Sequence, residues 1–122
     1  MPGHAQILPG TLDLLVLKAV SLGTLYGYGI LLRIEQISHG ALLIEQGALY
    51  PALFRLVRQG LLKAHWDASE NNRRTKFYEL TTAGRKRLRQ QEQGWNRLVA
   101  AIGSALKAQP DSRSSRLSGG HP

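Results

Sequence analysis

The sequence predicts a mainly α protein with a small β-hairpin near its middle and a long helix behind it. Apolar residues recur at helical spacing over three stretches before residue 60. The period then drops to two across "LLKAHW" and again across "TKFYEL", with the polar, turn-rich "DASENNRR" between them. From Thr81 a helical pattern resumes and outlasts any before it. The expected organisation is a flexible N-terminus over residues 1–10, a domain over 11–80, a long helix over 81–108 and a disordered Pro/Ser/Gly tail over 109–122.

In chain order, Thr11 follows Pro9-Gly10 and suits a helix N-cap, and Asp13 falls in the first turn, where the helix dipole favours negative charge. Leu12, Leu15, Val16, Ala19 and Val20 make the apolar stripe of this first helix, which ends near Gly23. "GTLYG" reads as a turn. A second helix is expected over about Gly27 to Ser38, with Ile30, Leu31, Ile34 and Ile37 inward and Gly40 as its stop. "ALLIEQ" is a short apolar connector compatible with extended backbone.

The stretch "GALYPALFRLVRQGLL" supplies helix three. Leu49, Leu53, Leu56 and Val57 fall on one face, leaving Ala48, Pro51, Ala52, Arg55 and Arg58 nearer the other. Proline is tolerated in a first turn and costly deeper in, so this helix is expected to begin near Ala48 or to bend locally. Gly60 is its C-terminal stop. A surface of small residues flanked by arginines lets a helix backbone come close to an anion.

Thr81 or Thr82 caps the last helix, which at about 27 residues would be roughly 40 Å long. Leu88, Trp95 and Ile102 stand seven apart, with Leu98, Val99, Ala105 and Leu106 between them. A stripe of this length exceeds what the remaining domain can cover, so it is expected to pack on a second copy of itself.

Composition narrows the function. The 122 residues and 43% hydrophobic content suit one core, and 16 Lys+Arg against 8 Asp+Glu give +8, which favours an anionic partner. The excess is uneven: +2 over residues 1–80 and +6 over 81–122. No cysteine is present, so thiolate chemistry and disulfides are excluded. His4, His39, His65 and His121 show no ligand spacing, so neither a metal nor a cofactor is expected. No apolar run approaches the roughly 20 residues of a membrane span, and "MPGHAQILPG" has no signal-peptide pattern. An intracellular, soluble protein is the simplest expectation.

Three helices and a hairpin in this order form the layout of a winged helix-turn-helix, in which helix three enters the DNA major groove and the hairpin wing touches the flanking backbone or minor groove. The motifs add to it. "LDLLVLKAV", "YGYGILLRI", Leu49-Tyr50-Pro51, Gly60-Leu61, and the run Lys76, Tyr78, Leu80, Thr81, Gly84 together resemble the PadR family of bacterial transcriptional regulators over about residues 8–105. The resemblance implies a cytoplasmic homodimer that represses promoters and leaves DNA on an inducing signal, with the dimer built from the first helix and a single C-terminal helix. Members often place Ser or Thr at the start of the recognition segment; Glu45-Gln46-Gly47 stand there in this chain, and Gln46 either caps the helix or contacts DNA instead.

The residues expected at double-stranded DNA are Gln46, Ala48, Tyr50, Pro51, Arg55 and Arg58 on the recognition segment, with Arg73, Arg74 and Lys76 on the wing. Leu12, Leu15, Leu88, Trp95, Leu98, Val99, Ile102 and Leu106 are expected at the dimer interface. Trp95 has two readings: a dimer-core aromatic, or a platform on which a planar aromatic inducer stacks, as the resemblance implies. Trp66 is expected to be structural. Two rival functions stand beside the regulator. A winged-helix module that binds protein and no longer reads DNA draws support from the small charge of residues 1–80. An enzyme is disfavoured, because no histidine cluster, paired carboxylate or phosphate-binding glycine loop is present.

Overall fold

The computed structural model describes residues 10–68 and 71–111, and there four helices and three strands follow in the order α1 (Thr11–Ser21), β1 (Leu25–Tyr26), α2 (Gly27–Ile37), α3 (Gln46–Arg58), β2 (Leu62–Ala68), β3 (Arg74–Leu80) and α4 (Thr82–Leu106). The expected mainly α fold with a hairpin is therefore the one observed. Most of the expected flexible N-terminus and most of the expected tail, with His4 and His121, lie outside the described residues. Two compact units divide within α4, one ending at Glu92 and the other starting at Gln93.

The first unit buries the faces that helical spacing selects. Val16, Leu17 and Val20 of α1, Ile30 and Ile34 of α2, and Leu49, Leu53 and Leu56 of α3 form the core with Leu61, Leu62, Tyr78 and Leu88. Each large aliphatic side chain taken fully from water contributes roughly 1.5–3 kcal/mol. Ile37 stays exposed at the end of α2, because its helix stops there. Ala52, expected on the outer face, is fully buried instead. It stands three residues after Leu49 and four before Leu56, which places it on the core side of α3.

Local chemistry sets the helix ends. Gly10, with φ 86°, is the N-cap of α1, so Thr11 is its first helical residue rather than its cap. Gly60, with φ 75°, takes the left-handed position after α3. Its amide donates to the Val57 carbonyl at 3.0 Å and the Leu61 amide to that of Leu56 at 2.9 Å, the paired bonds of a Schellman motif. Thr81 caps α4: its hydroxyl accepts from the Gly84 amide at 2.9 Å. The same hydroxyl lies 2.7 Å from the Gly60 carbonyl and 3.1 Å from that of Leu61, tying the end of α3 to the root of α4.

The sheet has the order β1-β3-β2, with both pairs antiparallel. β1 corrects the sequence reading, which took "GTLYG" for a turn. Leu25 pairs with Tyr78 and Tyr26 with Phe77, so β3 is the central strand and the wing is held from behind. The hairpin is longer than expected, since Asp67, Ala68 and Arg74 continue the ladder into the stretch read as connector.

Candidate nucleic-acid interface

α3 begins at Gln46, two residues before the expected start. Glu45 is its N-cap and makes no side-chain cap bond, and Gln46 is already helical, so Gln46 does not act as the cap. Pro51 consequently sits inside the helix as its sixth residue, where it has no amide to donate to the Gly47 carbonyl. Opposite the buried leucines, Gly47, Pro51, Phe54 and Arg58 form an outward stripe, all exposed. Gln46, Ala48 and Tyr50 are exposed beside it.

Phe54 is the surprise of this face. The residue is 65% exposed, the highest value among the exposed large hydrophobic residues of the first unit, and the Arg58 guanidinium carbon lies 5.7 Å from the ring centroid. The contacts expected from sequence on this segment, Gln46, Ala48, Tyr50, Pro51, Arg55 and Arg58, do not include it. Its position seven after Gly47 and three after Pro51 was the signal available.

Arg55, expected at DNA, is committed elsewhere. Its Nη2 donates to Asp13 Oδ1 of α1 at 2.7 Å, an ion pair that joins the two helices. Tyr50 leans over the start of α2, where a Cβ placed on Gly27 would lie 2.7 Å from the Tyr50 hydroxyl oxygen. Glycine at 27 is what lets the ring in. Burial pushes the Tyr78 hydroxyl above its ordinary pKa, and the neighbouring Tyr50 pushes it further.

Cross-strand partners place Ala64, Trp66 and Ala68 of β2 on one face with Tyr78, Lys76 and Arg74 of β3. Trp66, expected to be structural, is exposed there. The Arg74 guanidinium lies 5.1 Å from its ring centroid and Lys76 Nζ 5.9 Å; Lys76 is also 5.9 Å from the Tyr78 ring. Tyr78 thus neighbours two of the expected contacts, Tyr50 of α3 and Lys76 of the wing. Arg73 is exposed at the turn, and its carbonyl accepts from the Thr75 hydroxyl at 3.0 Å. On the opposite face, Phe77 meets Tyr26 edge-on at 6.2 Å and stacks with His65 at 6.0 Å.

Comparison with known proteins agrees with this geometry. Residues 16–90 match the family described as Transcriptional regulator PadR-like family. The chain belongs to the PadR-like family of transcriptional regulators. A PadR-like transcriptional regulator from Bacillus cereus is similar in structure, with a TM-score of 0.75 and 26% identity, covering 86% of this chain and all of that one. A PadR family regulator from Eggerthella lenta is 33% identical with a TM-score of 0.69, covering 82% of this chain and 85% of that one. An uncharacterised protein of Lysinibacillus sphaericus is 27% identical over 93 residues, which are 75% of this chain and 84% of the relative.

As a PadR-like protein the chain is a DNA-binding transcriptional regulator and not an enzyme. Among the described residues no helix is long and apolar enough to cross a membrane, and no group of His, Asp or Glu is placed to hold a metal ion. The dimer residues expected from sequence divide into two sets. Leu88 is only 8% exposed and belongs to the core of the first unit, so it has no face left for a partner. Leu12 and Leu15 pack partly against that core. In the second unit Trp95 is 38% exposed, Leu106 81%, and Leu98, Val99 and Ile102 are exposed between them.

Proposed function

We propose that this regulator is a repressor, that it acts as a homodimer on a pseudo-palindromic operator in the bacterial cytoplasm, and that a planar aromatic inducer releases it. The observation that carries the reading is the stripe Trp95, Leu98, Val99, Ile102 and Leu106 in the second unit. It recurs every three or four residues along a helix whose other positions are mostly polar, which is the pattern of a seam between helices. Leu12 and Leu15 of α1 join this interface. Two-fold symmetry then presents two copies of α3 to successive major grooves about 34–36 Å apart. Gln46, Ala48, Tyr50, Pro51 and Arg58 meet the groove and its phosphates, and Arg73, Arg74 and Lys76 the flanking backbone. Arg55 contributes less than Arg58, because Asp13 already neutralises it.

The test is light scattering and operator binding by fluorescence anisotropy on the full chain and on L98D. A dimer that L98D converts to monomer, with loss of tight operator binding, supports the reading. A wild-type monomer that holds its operator at full affinity refutes it. The chain has two tryptophans, so W66F isolates Trp95. Quenching of its fluorescence by planar aromatics, with operator release by the same compounds, tests the inducer.

A further inference from the structure

We infer that Phe54 is a specificity-determining residue of this regulator and that it reads the 5-methyl group of a thymine in the operator. The inference rests on α3 entering the major groove.

Single exposed apolar side chains are ordinary on a protein surface, and Phe54, 65% exposed, is set apart by where it stands. Phe54 lies at the centre of the outward stripe of α3, between Pro51 and Arg58. On the stripe itself, Gly47 and Pro51 on one side offer no hydrogen-bonding side chain, and Arg58 on the other carries positive charge. A phenyl ring has no donor or acceptor to offer a base edge. The only apolar feature displayed in the major groove is the methyl of thymine, which side chains such as Phe contact directly. Thymine shares with the other bases a polar edge, its O4 acceptor, but cytosine, adenine and guanine offer no methyl for the ring to cover.

Arg58 makes the contact usable. Its guanidinium, 5.7 Å from the ring centroid, holds one side of the phenyl and carries a charge that draws the helix toward phosphate. The ring is thus partly immobilised before binding, so less side-chain freedom is lost when the methyl meets it.

The experiment uses the full chain and a duplex enriched by it from a random pool. Each symmetry-related pair of thymines is replaced in turn by deoxyuridine, which differs by the methyl alone. Burying one methyl contributes about 0.8 kcal/mol, or about fourfold in affinity per half-site and about fifteenfold for both. The expected result is that one thymine pair gives this loss for the wild type and none for F54A. A pool selected by F54A should keep the rest of the motif and lose the thymine there. Because Phe54 is mostly exposed, F54A should fold normally, which a thermal melt checks. The inference is overturned if no replacement weakens the wild type beyond twofold, or if F54A loses as much as the wild type. If the wild type enriches no duplex, the operator reading fails along with this one. Enrichment that is indifferent to deoxyuridine overturns the role of Phe54 alone.

Discussion

Gly84→Ala should destabilise the first unit, against what helix propensity alone predicts. Gly84 is the third residue of α4, and replacing a helical glycine by alanine ordinarily stabilises by about 0.5–1 kcal/mol. Here a Cβ would run into the Leu61 carbonyl oxygen, with Leu61 C at 3.1 Å and Leu80 Cδ1 at 2.7 Å. Leu80 can change rotamer. The carbonyl cannot move freely, because it accepts from the Thr81 amide at 3.2 Å and from the Thr81 hydroxyl at 3.1 Å. Overpacking costs about 1–3 kcal/mol, and a lost or stretched hydrogen bond about 1 kcal/mol more. After the propensity gain, a net loss of about 1–3 kcal/mol remains. Urea denaturation followed by circular dichroism should show a lower midpoint, and the melting temperature should fall by roughly 4–8 °C per kcal/mol. Gly94→Ala is the control: its nearest neighbour, Arg97 Nη2, is 4.0 Å away, so propensity should win and the helix gain up to about 1 kcal/mol. Equal or greater stability of G84A would refute the claim that α4 is seated on the Leu61 carbonyl.

A double-mutant cycle on D13N and R55Q should give a coupling of about 0.2–1 kcal/mol that shrinks with salt, since both groups are partly exposed. In operator binding, R58A should cost more than R55A; the reverse order would show that Arg55 leaves Asp13 for DNA. Of the four tyrosines, one should ionise late in an alkaline titration of tyrosinate absorbance, and Y78F should remove that phase. Because the folded pKa of Tyr78 is raised, its contribution to stability is complete below the ordinary value near 10.0 and is lost as pH climbs through the folded value. Y78F should flatten that alkaline loss in urea melts, and an unchanged slope would contradict it.

Much of the fold was legible because it rests on periodicity. The core faces of α1, α2 and α3 follow from apolar residues spaced by three and four, and the wing from alternation. The misreadings have local causes. β1 is two residues long, too short to show any period, and exists only through its pairing with β3. The start of α3 was placed late because Pro51 was assigned to a first turn, whereas the packing of Leu49 and Leu53 keeps the helix intact past it. Thr11 has cap chemistry, yet Gly10, with its left-handed backbone, takes the N-cap position. Leu88 shares the seven-residue spacing of Trp95 and Ile102 but falls before the division at Glu92. The site was half legible. Charge pointed to the wing and to Arg58, but charge says nothing of partners, and so missed that Asp13 holds Arg55 and that two aromatic rings, Phe54 and Trp66, lie under cations.

The small strand β1 also bears on the order of events as the chain folds. Leu25 and Tyr78 are about 50 residues apart, and closing so long a loop is entropically costly before other contacts repay it. β2 and β3, by contrast, are separated by only five residues in sequence and can pair early. The hairpin is therefore expected to form before β1 docks on it. A nascent chain that ends before Arg74 has a recognition helix whose core face meets α1 and α2, but no partner strand for β1 or β2, and the wing is completed only when β3 is made.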